Sequence, residues 1–294
     1  MTPEDIRSHP PLVLTHEHRE SYFANGFVAV DGLVPQDWVQ RLTVQSEAFL
    51  EQSRAVTQSN EAFDLGPAHS AAHPHVRRLR ATVDRHPEFW EFASNSIFAD
   101  VAADLVGPDV KFHSAKLNYK WPGAGEVVHW HQDIPAWPHT NYSPVTLGVY
   151  LDTVALEHGP LACIPGSHEG NLFNHMDAEG RWTGTVSKAD MATVDTNSAV
   201  ELTGSAGTLV AINCRTIHGS RNNQSKSVRP LLLCVYSSAD AFAWMPPPTP
   251  TTKTGAIVRG KPARMAHLDP RPCLAPPNWA EQRYGSIFTA QQGE

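Results

Sequence analysis

From residue 110 onwards, the sequence breaks into short apolar or alternating runs, each bounded by glycine, proline or asparagine. These runs read VKFHSAKLNYKW, VVHWHQD, VTLGVYLD, LACIPG, GTLVAIN and RPLLLCVYS. Many short strands at close spacing, without helical patterns between them, are typical of an antiparallel sandwich or barrel. The sequence therefore predicts a mainly β fold for this part of the chain.

The residues before this β region have helical patterns. Residues 17–26 predict a short helix that ends at Gly26 and leads into the strand FVAV. Residues 35–56 predict an amphipathic helix, and residues 86–107 predict one or two more helices. The apolar positions of the amphipathic helix are Trp38, Leu42, Ala48 and Leu50. We therefore expect a helical N-terminal part over about 1–108.

Two long segments lack a clear strand pattern. The polar stretch between Pro165 and Val200 is too long for a simple connector, and its length predicts a lid. The proline-rich tail, residues 243–294, is expected to wrap the domain in an extended form. Because the chain shows no internal repeat, we expect one domain over 1–294, with its β core at about 109–242.

Composition argues against several classes of protein. The formal net charge is −7 and the chain has no run of lysine or arginine, which argues against a nucleic-acid partner. Its apolar runs are too short to cross a membrane, and its first residues lack the pattern of a signal peptide. The four cysteines are far apart and are expected to be reduced thiols. We therefore expect a cytoplasmic protein.

The stretch VVHWHQDIPAWPHTN places His131 and Asp133 two residues apart. Side chains alternate along a strand, so the two residues would lie on the same face. A neutral imidazole and a carboxylate on one face are either two ligands of a metal ion or a hydrogen-bonded pair on a wet surface. Because His-x-Asp is common by chance, the rest of the chain must supply the third ligand.

His218 is the candidate third ligand. It follows the predicted strand GTLVAIN, and Arg229 opens the next strand eleven residues later, so a hairpin would bring the two together. Two histidines and one carboxylate leave adjacent positions of an octahedral iron open, and non-haem iron(II) oxygenases use this ligand set. A buried arginine nearby would bind a carboxylate. Taken singly, each residue is more simply a loop histidine or an edge-strand arginine, but the joint pattern favours the metal site.

Five segments resemble one protein family: KLNYKWPG, WHQDIPAWPH, HGPLACIPGSH, GSAGTLVAINCRTIHGS and NQSKSVRP. They are similar to the phytanoyl-CoA dioxygenase family of iron(II)- and 2-oxoglutarate-dependent oxygenases, which includes the ectoine and free-proline hydroxylases. The resemblance covers roughly 110–237, and the helical entry at 21–107 also fits. It implies a double-stranded β-helix, a jelly-roll or cupin-like core, and the use of Fe(II), 2-oxoglutarate and O2.

The resemblance also implies roles for single residues. It assigns the iron to His131, Asp133 and His218, and the far carboxylate of 2-oxoglutarate to Arg229. Further co-substrate contacts are implied for Ser220, Asn118 and Lys116. From the residues alone, the polar face of KFHSAKLNYKW either meets water or lines a cavity. Because the chain keeps the carboxylate that the halogenases of this family lack, the resemblance implies hydroxylation or desaturation.

Three residues are candidate substrate contacts. Trp137 matches an aromatic of the pocket wall in the ectoine and proline enzymes, although it also suits a core. His129 shares a face with His131 and is either a substrate contact or a packed histidine. Arg264, with Arg259 and Lys261, is either a cation that meets an anionic substrate or part of a solvated basic stretch.

We expect hydroxylation of a small polar molecule such as an amino acid, an aminophosphonate or a secondary metabolite, with release of succinate and CO2, by a monomer or homodimer. Ectoine and proline are disfavoured because Val128 stands where the ectoine enzymes have phenylalanine. Two other classes stay open: a zinc or manganese hydrolase or isomerase, and a non-catalytic ligand-binding jelly roll. The hydrolase or isomerase does not explain Arg229 and Ser220 at their positions, and in the ligand-binding jelly roll the histidines would be incidental.

Overall fold

The computed structural model describes residues 1–279, 281 and 286–292. Its N-terminal part is largely helical. Helices α1 to α5 span Pro3–Ser8, His16–Asn25, Gln36–Ser53, Pro87–Asn95 and Ile97–Val106. Helix α2 ends at Gly26, whose φ of 83° is left-handed, and a Cβ atom there would clash with Thr216 and His168. The predicted helices are confirmed. Along α3, however, the buried face includes Val39, Leu42 and Phe49, whereas Ala48 is exposed.

The described residues form twelve strands in two antiparallel sheets. Strands β1 to β12 span Phe27–Val30, Phe63–Leu65, Val76–Arg80, Val110–Lys120, Val128–His131, Val145–Tyr150, Leu161–Cys163, Val200–Leu202, Leu209–Asn213, His218–Ser220, Arg229–Ser238 and Ile257–Arg259. The larger sheet has the order β1-β9-β6-β11-β4-β3-β2, with β12 also paired to β4, and the smaller has the order β5-β10-β7-β8. The predicted antiparallel jelly roll is confirmed.

The larger sheet buries a different set of side chains on each face. On β4, Leu117 and Tyr119 are buried in the core cluster that also contains apolar residues of α3, α4 and α5. The alternate residues Lys116 and Asn118 line a cavity. A separate apolar cluster contains residues of both sheets, including Tyr150 and Leu161. The period of two along β4 thus separates a hydrophobic core from a polar cavity.

The tail is less uniform than the sequence predicts. Strand β12 pairs with the first residues of β4, and the last described residues form a helix that lies against β5. After the short helix α6, Lys188–Met191, this last helix is α7, Ile287–Gln292, and its residues Ile287 and Phe288 are buried. Six residues are too few for a helical period to show in the sequence. In the part of the chain that the structure describes, no helix has the length and apolarity needed to cross a membrane.

Candidate metal centre and co-substrate pocket

The register of two strands brings together two of the predicted ligands. Strands β5 and β10 are antiparallel, with His131 directly opposite His218, and the centroids of the two rings are 4.1 Å apart. Asp133 follows β5, and its Oδ1 lies 4.0 Å from Nε2 of His131. All three side chains are buried, and one ligand atom from each lies within 4.8 Å of the others. This geometry fits a single metal ion.

Backbone carbonyl groups fix the tautomer of both histidines. Nδ1 of His131 lies 2.9 Å from the carbonyl oxygen of His129, and Nδ1 of His218 lies 2.9 Å from that of Thr216. Because a carbonyl oxygen only accepts hydrogen bonds, each Nδ1 must carry the proton. The lone pair of each Nε2 is therefore left for a metal, as is usual for histidine ligands.

Asp133 is held by a hydroxyl group. Oγ1 of Thr146 on β6 donates a hydrogen bond of 2.8 Å to Oδ2 of Asp133. Burial by itself raises the pKa of this carboxyl, but His218 and Lys116 outweigh it, so the pKa is lowered. Burial and His218 hold the pKa of His131 below its usual value. The carboxylate is therefore ionised and His131 is neutral, which are the states that bind a metal.

Gln132, between His131 and Asp133 in the sequence, forms hydrogen bonds with the neighbouring segments. Its Nε2 donates to the carbonyl oxygens of Asn171 (3.0 Å) and Arg215 (2.7 Å), and its Oε1 accepts from the backbone NH of Phe173 (2.9 Å). Val186 adds a backbone bond of 2.9 Å to Trp130. The long polar segment thus lies against β5, and its role as a lid stays a prediction.

A cavity of about 90 Å³ opens onto the three candidate ligands. Its other polar walls include Arg78, Lys116, Asn118, Thr146, Ser220 and Arg229. Its apolar walls include Trp137, Leu161, Ile212, Leu231, Leu233 and Phe288. The four residues expected from the sequence to contact the co-substrate therefore all reach the same cavity as the candidate ligands.

Arg229 lacks a partner for most of its guanidinium group. The residue is 4% exposed, and no described residue forms a hydrogen bond with its Nε or Nη1. Burial lowers its pKa, and Tyr150 partly opposes this effect. A buried cation without a partner is costly, because it loses its hydration. The site therefore favours an anion supplied from outside the protein, at the end of the cavity formed by Arg229 and Ser220.

Arg78 is a pocket residue that the sequence reasoning missed. It lies on β3 opposite Asn118 of β4, and its Nε donates a hydrogen bond of 2.8 Å to Oδ1 of Asn118. In the sequence, it stands in the run HVRRLR, which resembles a solvated basic stretch. The valine and leucine of that run were the available signal for a strand, and Val76 and Leu79 are fully buried.

Thr146, His113 and Phe288 are further cavity residues that the sequence reasoning did not single out. His113 packs against Trp137, with ring centroids 5.2 Å apart, and burial lowers its pKa to about 3. It is therefore a neutral wall residue. Trp137 itself is 6% exposed and lines the cavity as expected.

Two expected substrate contacts, His129 and Arg264, lie outside the cavity. His129 is exposed, and its backbone NH and carbonyl are bonded to the side chain of Gln291, because α7 covers this edge of β5. Arg264 is also exposed and does not line the cavity. The pairing of β12 with the first residues of β4 carries this part of the tail towards Lys111, away from Asn118.

The other two tail cations do not reach the cavity either. The side chain of Arg259 is bound to Asp100 at 2.6 Å, and the backbone NH of Lys261 is bound to Asp109 at 2.9 Å. Both partners lie outside the residues that line the cavity. The tail therefore supplies no cation to this pocket among the described residues.

Comparison with known proteins supports the same class of site. The family model of phytanoyl-CoA dioxygenase matches residues 22–231. A probable alpha-ketoglutarate-dependent hypophosphite dioxygenase of Stutzerimonas stutzeri is 28% identical over 77% of this chain and 79% of that protein. An ectoine dioxygenase of the same species is 26% identical over 75% of this chain and 76% of that protein.

A solved structure shows the same fold. The crystal structure of EctD from S. alaskensis with 2-oxoglutarate and 5-hydroxyectoine matches with a TM-score of 0.68 at 22% identity, over 87% of this chain and 88% of that one. The family model and the named relatives confirm the enzyme class expected from the sequence, a dioxygenase that uses iron and 2-oxoglutarate. The family model covers more than half of the chain. The chain belongs to the phytanoyl-CoA dioxygenase family.

Proposed function

We propose that the protein hydroxylates a small polar molecule with 2-oxoglutarate and O2, releasing succinate and CO2, and that His131, Asp133 and His218 hold the iron(II). The observation that carries this is the pairing of two features in one cavity. Three ligand atoms lie within 4.8 Å of one another in the protonation states that a metal requires. Beside them, the buried Arg229 has two unpartnered nitrogen atoms.

When bound in this site, iron(II) supplies adjacent coordination positions at which 2-oxoglutarate and O2 react together. The protein's own residues supply the orientation. Arg229 forms a charge-assisted pair with the far carboxylate of 2-oxoglutarate, and Ser220 adds a hydroxyl at the same end. Asn118 contributes an amide that Arg78 already orients. A metal hydrolase or isomerase on the same scaffold would have no need of this buried arginine.

Closure of the cavity completes the proposed function. The apolar side chains of Trp137, Leu231 and Phe288 exclude water from the cavity that the ligands face. Such exclusion strengthens the ion pair at Arg229 and protects the oxidising chemistry from side reactions. Helix α7 supplies Phe288, so the tail takes part in this closure.

We infer that residues 1–294 act as one catalytic domain in the cytoplasm, as a monomer or homodimer. Support for one domain comes from the core, in which the helices α3 to α5 share a hydrophobic cluster with the larger sheet. Support for a reducing compartment comes from the four cysteines, which form no disulfide. A relative named as a hypophosphite dioxygenase supports a small polar substrate.

The experiment that tests the function is a succinate-release screen of amino acids, betaines, phosphonates and acyl-CoA thioesters, with iron(II), 2-oxoglutarate and O2. The expected result is one compound that gains an oxygen atom with stoichiometric succinate, and no product from the His218→Ala variant. Product formation that continues without 2-oxoglutarate or without O2 would contradict the oxygenase function and favour a hydrolase or isomerase.

A further inference from the structure

Two cationic side chains, Arg78 and Lys116, face the cavity in addition to Arg229. The sequence resemblance suggested that Lys116 contacts 2-oxoglutarate, but the register of the sheet places it elsewhere. Arg229 pairs with Lys120, whereas Lys116 pairs with Leu233, four positions further along β11. At about 3.4 Å per residue, these backbone positions lie roughly 14 Å apart. Lys116 is therefore at the other end of the cavity from the anchor of the co-substrate.

Neither cation is neutralised by the described residues. Arg78 is 3% exposed, and its one hydrogen bond to a described residue runs from Nε to the neutral amide of Asn118. Neither Arg78 nor Lys116 forms an ion pair in the part of the chain that the structure describes. The Arg78 guanidinium lies over the ring of Phe288, at 5.6 Å, which holds it in place without supplying a charge.

Charge balance shows what is missing. In the proposed complex, iron(II) carries two positive charges and Arg229 carries one. They balance the single negative charge of Asp133 and the two negative charges of 2-oxoglutarate. The histidine ligands are neutral, and so is His113. The charges of Arg78 and Lys116 are then left over. Unbalanced charges in a desolvated cavity are unfavourable, so an additional anion is required for neutrality.

Lys116 keeps its charge near neutral pH. Burial, together with Arg78, lowers its pKa to about 8, and Asp133 opposes the shift. Lys120, in contrast, lies outside the cavity lining, and its Nζ is bonded to the carbonyl oxygens of Glu126, Ser220 and Arg221. It therefore does not offer a free donor to a ligand in the cavity.

We propose that Arg78 and Lys116 form a subsite for an oxyanion group of the prime substrate, a phosphonate, phosphinate or carboxylate. This inference rests on the proposed oxygenase function, because it assigns 2-oxoglutarate to Arg229. The guanidinium offers paired NH donors and Lys116 a mobile point charge, a combination that suits a group with two or three oxygen atoms.

The test is calorimetric titration of the anaerobic protein loaded with iron(II) and 2-oxoglutarate. Methylphosphonate and acetate are the anionic probes, and acetamide is the neutral isostere of acetate. We expect at least one anion to bind, with an affinity that falls as KCl is added, and no binding of acetamide. Tighter binding of methylphosphonate would indicate a subsite for a phosphorus oxyanion, and tighter binding of acetate a subsite for a carboxylate.

The variants Arg78→Met and Lys116→Met should each weaken binding of that anion by roughly tenfold or more, because each removes a charged donor. In Lys116→Met, the affinity for 2-oxoglutarate should stay within about twofold of wild type, since this substitution does not touch the charge-assisted pairing at Arg229. The matched control is Arg264→Met, which removes an exposed cation outside the cavity. Thermal melting confirms folding, and either variant alone suffices if the other does not fold.

Several outcomes would overturn the subsite. They are equal binding of acetate and acetamide, absence of anion binding to the wild type, and anion binding that neither substitution changes, as for an anion held by the metal. A loss of 2-oxoglutarate affinity in Lys116→Met would make Lys116 a co-substrate contact instead. Failure of the iron-loaded wild type to bind 2-oxoglutarate, seen when 2-oxoglutarate itself is titrated, would contradict the proposed function and not the subsite alone.

Discussion

His131 and His218 lie opposite each other on neighbouring antiparallel strands, and each bonds its Nδ1 to the carbonyl oxygen two residues earlier in the chain. The same type of hydrogen bond, from Nδ1 to a backbone carbonyl oxygen, thus fixes both imidazole rings before any ligand binds. Since the two Nε2 atoms then face Asp133, the site is organised by the backbone and does not depend on a metal to align its side chains.

Replacing a ligand should abolish metal binding without unfolding the chain. We expect His131→Ala to lose iron, because only two of the three ligands remain. The matched control is His129→Ala, which removes an exposed imidazole from the same strand and leaves the backbone carbonyl that His131 uses. Metal analysis after gel filtration gives the result. Retention of iron by the His131 variant would remove it from the ligand set.

We expect Thr146 to affect iron binding through its hydrogen bond to Asp133. Its hydroxyl donates to the carboxylate oxygen Oδ2, so Thr146→Val, which keeps the shape of the side chain, should weaken iron binding by roughly 10- to 100-fold. The variant Thr146→Ser keeps the hydroxyl and should restore most of the affinity. Competition with a chelator measures both. Equal affinities of the valine and serine variants would show that the hydrogen bond does not position the carboxylate.

Arg229 should determine the affinity for 2-oxoglutarate. In Arg229→Ala, the far carboxylate would lose its partner in a desolvated pocket, at a cost of about 2–5 kcal/mol, so affinity should fall at least tenfold while iron binding persists. Arg221→Ala removes an exposed arginine whose partner is Glu201 and serves as the control. Anaerobic calorimetry reports both affinities. An unchanged affinity in the Arg229 variant would rule out this anchor.

We expect helix α7 to affect the coupling of succinate release to product formation more than it affects iron binding. Phe288 walls the cavity, and Gln291 binds the backbone of His129 and the carbonyl oxygen of Gly184. Deleting residues 286–294 should lower product per succinate, because water enters the site, while iron content stays near wild type. A larger deletion beyond Ala256 would also remove β12 and perturb β4. A shortened enzyme with fully coupled turnover would show that the helix is dispensable.

The sequence predicted the strands and the candidate ligands because both depend on local patterns. His131 and Asp133 stand two apart, so short-range spacing carried the information for these two ligands. The hairpin expected between His218 and Arg229 is wrong, because their strands β10 and β11 lie in different sheets, yet both residues line the same cavity. Arg78 could not be predicted in this way, because its place in the cavity depends on the pairing of β3 with β4, forty residues away.

The tail shows the same limit. Arg264 has the right charge for an anionic substrate, but the pairing of β12 carries it away from the cavity. Phe288, in contrast, lies in a helix too short to give a periodic signal and still reaches the site. The sequence therefore identified the types of residue that the site needs. Long-range strand pairing determines which residues of those types line the cavity.

The most direct test of the central claim is the visible absorption spectrum of the anaerobic protein on addition of iron(II) and then 2-oxoglutarate. Chelation of iron by the keto-acid end, with the three protein ligands in place, predicts a new charge-transfer band. The band should be absent in His131→Ala, and it should need higher 2-oxoglutarate in Arg229→Ala. Wild-type protein that holds iron and binds 2-oxoglutarate but shows no band, or a band of equal strength in His131→Ala, would contradict the account.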